Sequence, residues 1–407
     1  MNLGRFFRKP PAAGPVMKVG EVDPVLAAVV IALIGFGTVM IYSASAIEAT
    51  VRFHDPEYYL KRQLAFAGIA LAVMWVVSRI DYHRIRRLTY PILALVTGLM
   101  LMTVLGLGTR RGGAARWLSI GPILVQPAEM AKLALVLWLS YSLAKKAEKV
   151  KSFTVGFVPH VLMSGGFILL CLKQPDFGSA VVIAFMTFTM LFVAGARISF
   201  LVGAAIIAAG VAVKLVTSKA YRWARVLAFL DIAGHRQDLA YQPFQSVMSF
   251  GSGGLLGLGL GKGLQVLYLP EAHNDFIAAI IGEELGFVGI ILLAGTFLLL
   301  VSRGVRAALR APDDYGSYIA FGISAMIGVQ ALVNMSVAMA ILPTKGLTLP
   351  FISYGGSSLL VNAAAAGVLL NISRERVQVE APQTVPLSVD RPEASVTVVT
   401  AAEEGSA

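Results

Sequence analysis

Asp275 stands where a polar loop, LPEAHND, ends and an apolar run opens at Phe276. A side chain there meets water on one side and hydrocarbon on the other. That placement suits chemistry at the polar head of a lipid. Asp is also a favoured N-cap, and this one directly precedes a helix-forming run, so capping is the plainer reading of the same residue. Glu283 and Glu284 follow about 12–14 Å deeper at 1.5 Å per residue, and the 100° turn per residue points neither at Asp275. Carboxylates at such depth default to functional or interior positions. Here they read as polar contacts with another span.

Other residues form weaker constellations. Glu129 and Lys132 in QPAEMAK are three apart, neighbours on one helical face. They compensate one another or line a polar cavity. Asp176 in QPDFGSA repeats the geometry of Asp275 and is read as a cap. His273 is a proton relay or a solvated loop histidine. Ser357 and Ser358 have no acid–base partner nearby in sequence, which argues against a serine nucleophile. Arg110, Arg111 and Arg116 cluster in one short loop, and Arg222, Arg225, His235 and Arg236 in the longest. Such cations bind an anionic ligand or pair with headgroup phosphates.

The elements that must position these residues are membrane spans. Of 407 residues, 57% are hydrophobic and 14% charged, too apolar for a soluble domain. Apolar runs long enough to cross ~30 Å of hydrocarbon fall at 24–44, 64–80, 88–108, 126–144, 155–172, 177–194, 199–217, 276–301, 317–341 and 355–372. Residues 1–22 are basic and lead into a full-length span without a cleavage site. Lys and Arg concentrate in the short loops on the N-terminal side, which places both termini in the cytoplasm. Residues 218–275 then form one long extracytoplasmic loop before the eighth helix. The expected fold is an all-α polytopic integral membrane protein of about ten transmembrane helices. A cytoplasmic segment, 1–23, precedes it, and a disordered tail rich in Pro, Ser, Thr and Glu, 377–407, follows.

The lone Cys171 excludes an internal disulfide. The net charge of +11 reflects topology and anionic lipid; no basic run with interleaved aromatics points to nucleic acid. Glycines 251–263 fit neither nucleotide-binding pattern, since Gly263 rather than Ser or Thr follows Lys262. They read as close packing.

Five stretches carry a resemblance: RWLSIGPILVQPAEMAKL (116–133), KQPDFGSA (173–180), YQPFQSVMSFGSGGLLGLGLGKG (241–263), LPEAHNDFIAAIIGEELG (269–286) and LPTKGLTLPFISYGGSSL (342–359). Together they resemble the SEDS family (shape, elongation, division and sporulation) over residues 24–376. Thr344-Lys345-Gly346 looks like the division branch. The chain departs from the family at Asp231-Ile232, where many members have Asp-Pro, and at Ala128, where Ser is frequent. The resemblance implies ten transmembrane helices and peptidoglycan glycosyltransfer. In that reaction lipid II, a disaccharide-pentapeptide on undecaprenyl pyrophosphate, is polymerised at the outer face of the bacterial cytoplasmic membrane, for a division member at the septum. The family's essential outer-loop Asp corresponds to Asp275. It would act as general base on the acceptor sugar's 4-hydroxyl, inverting the donor's anomeric carbon. The pyrophosphate leaves as an anion and needs cations rather than an acid. Arg116, Lys132 and Lys345 are the candidates. Glu129, Trp117, His273 and Ser353 complete the candidate substrate-binding set, with an interfacial aromatic belt as the other reading of Trp117. No cofactor is required by this scheme; a divalent cation, Mg or Mn, is compatible with it. Expected partners are lipid II, a class B penicillin-binding transpeptidase, other divisome proteins and the membrane. A lipid II flippase and a scaffold that recruits the transpeptidase are the alternatives.

Overall fold

The structure is a computed structural model describing residues 16–111, 114–121, 123–344, 346–374 and 376–379. Lys345 and residues 380–407 of the expected tail therefore lie outside the described residues. Two compact units emerge. In one, described at residues 16–20 and 376–379, β1 (Val16–Val19) pairs antiparallel with β5 (Arg376–Val379). Residues 377–379, read from sequence as the start of a disordered tail, thus form a strand.

The second unit, Glu21–Arg374, is helical. It opens with α1 (Pro24–Phe53), α2 (Tyr58–Arg79) and α3 (Tyr82–Met102), the last continued by a π turn to Leu107. A small antiparallel sheet follows: β2 (Thr109–Arg111), β3 (Ala114–Ile120) and β4 (Ile123–Val125). Then come α4 (Pro127–Lys145), α5 (Val158–Lys173), α6 (Phe177–Val193) and α7 (Ile198–Thr217). After α8 (Ala220–Leu230) and α9 (Tyr241–Gly253) the chain ends in α10 (Ile277–Arg310), α11 (Asp314–Ala338) and α12 (Gly356–Ile372). Among the described residues, seven helices are long and apolar enough to cross a membrane: α1, α2, α3 with its π turn, α5 with its preceding turn, α7, α10 and α11. α6 and α12 are shorter apolar helices. Each of the ten apolar runs lies largely on one of these nine helices or on α4. The helices start earlier than the runs in α2 and α3, because polar first turns are helical too and apolarity marks only the part facing hydrocarbon.

Local signals set the ends. Asp23 caps α1, its Oδ1 accepting from Val25 N at 2.9 Å and Leu26 N at 3.1 Å, ahead of Pro24, whose missing N–H is no loss at that position. His54 closes the helix in the left-handed region at φ 55°. The core lies around α4, which packs against α3, α6, α11 and α12 and buries both Glu129 and Lys132. α7 buries only Leu201, so nearly its whole apolar surface faces outward, as a lipid-facing helix requires.

The segment expected as a long loop contains α8 and α9. α8 is amphipathic, with Arg222 and Arg225 among Val226 and Phe229, a pattern that a search for continuous apolar runs passes over. Of the glycines after α9, Gly257 and Gly263 pack closely, as read, while Gly254 and Gly261 meet open space. α10 breaks at Gly286 (φ 68°, ψ −165°), and residues 254–259 lie along the break. Gly254 O accepts from Phe287 N at 2.9 Å, while Leu258 N and Gly259 N donate to Glu283 O and Glu284 O at 3.0 and 2.9 Å. The backbone groups released by the break are thereby satisfied inside protein. A Cβ on Gly257 would collide with Glu284 O. Glu284 bonds Ser43 of α1 at 2.5 Å, the interhelical contact expected. Glu283 instead holds the loop, accepting from Leu264 N at 2.8 Å.

Candidate functional site

Asp275 sits one residue before the N-cap of α10, which is Phe276. The cap makes no side-chain hydrogen bond, and among the described residues the Asp275 carboxylate accepts none either. The capping role is therefore absent. The two aspartates differ: Asp176 does cap its helix, accepting from Ser179 N at 3.1 Å and Ser179 Oγ at 2.8 Å.

Several partners fix the loop carrying Asp275. Glu271, at φ 59°, turns the chain so that its carbonyl accepts from Asn274 N at 3.0 Å and Asp275 N at 3.2 Å. A positive φ outside glycine is a strained conformation that the surroundings must maintain. Ser353 Oγ donates to Asn274 O at 2.6 Å and accepts from Leu349 N at 2.7 Å. Tyr354 N donates to His273 O at 3.0 Å. Asn334 of α11 donates to Asp275 O at 3.0 Å.

The half-buried Asp275 side chain opens into a cavity of about 590 Å³. Arg116, Arg222 and Arg225 line it with Asp176, Phe177, Tyr221, Thr344 and Gly346. Arg116 is anchored by carbonyls at the C-terminus of α5: Nε donates to Gln174 O at 3.3 Å and Nη2 to Pro175 O. Arg222 Nη1 likewise donates to Leu215 O of α7 at 2.9 Å, with its guanidinium 5.1 Å from the Phe177 ring centre. Helix C-termini are the negative ends of their dipoles and hold cations well. With Asp176 committed to its cap, the described residues of the cavity present three guanidinium groups and one carboxylate without a hydrogen bond. The cavity is built for an anion beside a base.

Burial pushes the Asp275 carboxyl up to about 7; the Glu271 and Asp176 carboxylates add to the rise, and Arg116 opposes it. Such a group holds and releases protons near neutral pH, as a general base must. His273 lies 4% exposed between the rings of Tyr59 and Tyr354, with Nδ1 3.4 Å from Glu48. Burial lowers its pKa, against the pull of Glu48. It is neither solvated nor a wall of the cavity.

The other residues singled out from sequence divide clearly. Arg116 joins Asp275. Lys132 and Glu129 do not: the Lys132 side chain, 1% exposed, bonds Glu129 Oε1 at 2.7 Å and Gln330 Oε1 at 2.6 Å. Ser358 donates to Glu129 Oε2 at 3.1 Å and shares a 2.9 Å bond with Thr348. This buried network supports the 343–355 loop from beneath. Trp117 pairs with Thr109 in the sheet and lies outside the cavity lining. Ser353 holds the loop rather than the cavity wall. His235 pairs with Asp238 at 3.4 Å, away from the site. The side chains of Arg110 and Arg111 lie outside the description. Sequence reasoning missed Gln330 and Asn334; the available signal was two amides four residues apart, on one face of an apolar span.

Among the described residues, no three His, Cys, Asp or Glu side chains gather as a metal site. A divalent ion in the cavity would find one uncommitted carboxylate beside three guanidinium groups. The residues present do not fit a resident metal.

The profile of the FtsW/RodA/SpoVE family, cell cycle proteins, matches residues 24–378. A probable peptidoglycan glycosyltransferase FtsW of Trichlorobacter lovleyi is 44% identical over 370 residues, 90% of this chain and 96% of that protein. Stage V sporulation protein E of Bacillus subtilis is 40% identical over 356 residues, 86% of this chain and 97% of that one. A solved chain from work on polymerization and crosslinking by a peptidoglycan synthase complex aligns with a TM-score of 0.72 at 31% identity, covering 86% of this chain and 97% of its own length. The rod shape determining protein RodA of Thermus thermophilus aligns at 0.62 and 29% identity, covering 86% and 96%. An integral membrane protein by its helices and a relative of these proteins along nearly their whole length, the chain belongs to the FtsW/RodA/SpoVE family of cell cycle proteins.

Proposed function

We propose that this chain is a peptidoglycan glycosyltransferase that polymerises lipid II at the outer face of the cytoplasmic membrane, serving septal wall synthesis beside a class B transpeptidase. In this reading α1 to α7 and α10 to α12 are the ten spans, both termini are cytoplasmic, and α8 and α9 lie outside. One observation carries it: a carboxylate with no hydrogen bond among the described residues faces a cavity ringed by Arg116, Arg222 and Arg225. Asp275 takes the proton of the acceptor 4-hydroxyl as its oxygen attacks the donor's anomeric carbon. The bond to the pyrophosphate breaks with its electron pair leaving on the phosphate oxygen, and the arginines stabilise the added negative charge of the departing pyrophosphate through charge-assisted, paired hydrogen bonds. The apolar lining from Val216, Val226 and Phe229 suits the first isoprene units.

The test is polymerisation of labelled lipid II by the purified chain with its transpeptidase partner, wild type against Asp275→Asn, read as glycan length on a gel. Asn keeps the shape and removes the base. Loss of polymer with unchanged folding and partner binding is expected. Near-normal polymer from the Asn variant overturns the base assignment. Lipid II scrambling without polymer, from an active wild-type preparation, favours a flippase.

A further inference from the structure

Two loops meet at the site; Ser353 links them from within the 343–355 loop, and from outside both loops a side chain of α11 holds them too. Asn334 lies in the last turns of α11 and is 1% exposed. Its Nδ2 donates to Asp275 O at 3.0 Å and to Leu347 O at 2.6 Å. One turn earlier Gln330 Nε2 donates to Thr348 O at 3.0 Å, so α11 presents two amides on one face to these loops. Of these two loops Gln330 reaches the 343–355 loop alone, its carbonyl oxygen accepting from Lys132; Asn334 spans that loop and the Asp275 loop together. It does not line the cavity.

The two carbonyls that Asn334 joins belong to the site's two walls. Leu347 adjoins Gly346, where a Cβ would stand 2.9 Å from Asp275 Oδ2 and 3.3 Å from Arg116 Nη1. An amide nitrogen carries two hydrogens in a fixed fork. Two acceptors held by that fork are held at a fixed separation. The bond to Leu347 is buried and resists loosening, because a carbonyl released there would have no water to turn to.

We propose that Asn334 is a positioning residue for the glycosyl transfer, its amide setting where the Asp275 carboxylate stands relative to the Gly346 wall and Arg116. This rests on reading Asp275 as the general base. Displacing a reacting group by ~1 Å costs on the order of a hundredfold in rate. The amide acts through the backbone and touches no reacting atom.

The experiment uses the full-length chain in the polymerisation assay above, with Asn334→Leu and Asn334→Asp compared across pH 5.5 to 9. Leu removes both donors. Asp keeps the shape and supplies at most one donor, so it serves if the Leu variant folds poorly. The charged groups facing Asp275 are Glu271, Asp176 and Arg116, with Arg222 and Arg225 of α8 lining the same cavity. Expected for Leu is a fall in kcat on the order of a hundredfold, a smaller fall for Asp, and KM for lipid II little changed. The acid limb of the rate profile shifts to lower pH, because a released carboxylate moves toward water and loses the burial that raises it. Wild-type kcat and an unmoved limb in both variants overturn the proposal. So does a lower kcat with an unmoved limb and a lower Tm, which marks a structural role only. Those outcomes, with Asp275→Asn inactive, leave the base assignment standing. An active Asp275→Asn removes both.

Discussion

Asp275 and Arg116 flank the same point of the chain: a Cβ built on Gly346 would lie 2.9 Å from Asp275 Oδ2 and 3.3 Å from Arg116 Nη1. They come from segments far apart in sequence and form no ion pair within 4.0 Å among the described residues. Nε and Nη2 of the guanidinium are held by the carbonyls after α5, which leaves Nη1, and the carboxylate remains open. A tight ion pair would hold Asp275 ionised but spend its lone pairs. This separation leaves both groups to a ligand between them.

Gly346→Ala tests that spacing. The added methyl meets two side-chain ends rather than backbone, so the fold should survive, and Gly346 has no positive φ to preserve. Polymerisation should fall at least about tenfold, with Tm close to wild type. Wild-type activity would mean that the cleft between Asp275 and Arg116 is not where substrate binds.

The rate should depend on pH through Asp275. Only the ionised carboxylate accepts a proton, and burial has raised its pKa to about 7. The rate should therefore rise with pH through about 7. Arg116→Gln removes a lowering influence and should move the limb up. Glu271→Gln removes a raising one and should move it down. Stability carries the opposite sign. A raised carboxyl pKa favours folding below the unfolded value and loses that contribution as pH rises through about 7. Asp275→Asn should be more stable than wild type above that pH, on the order of 2 kcal/mol once partial exposure is allowed for. The gap should close toward pH 4. Thermal melts across pH read it.

Lys132→Met should destabilise more than its proposed partner role in binding would suggest. It leaves Glu129 charged and buried, a loss of about 3–5 kcal/mol. Glu129→Gln combined with Lys132→Met should recover much of it, since no uncompensated charge remains. Melting temperatures of the two variants decide the matter. Equal melting temperatures for single and double variants would contradict the buried pairing.

Ser353→Ala removes a hydroxyl that accepts from Leu349 N and donates to Asn274 O. Both backbone groups lose a partner, a cost of about 1–3 kcal/mol. Polymerisation should drop through kcat while the affinity for lipid II holds. A raised KM with kcat intact would return Ser353 to the binding surface.

The sequence by itself determined the membrane-spanning character, the helical fold and the importance of the loop before α10, because apolar runs and junction residues act locally. It also identified Asp176 as a cap, since a cap needs only its own helix end. Local pattern could not separate Asp275 from Asp176: both precede a helix, and only the turn set by Glu271, Ser353 and Asn334 lifts the Asp275 carboxylate off its helix end and into a cavity. Arg116 could be named, but not what holds it beside Asp275, which is a pair of carbonyls after α5. Arg222 and Arg225 were legible as misplaced cations and not as cavity walls, because α8 declares itself only by an amphipathic pattern. Lys132 and Glu129 look alike in sequence whether they face a ligand or one another. Their burial among Gln330, Ser358 and Thr348 decides it, and burial belongs to the packing of α4, α11 and α12 rather than to any one of them.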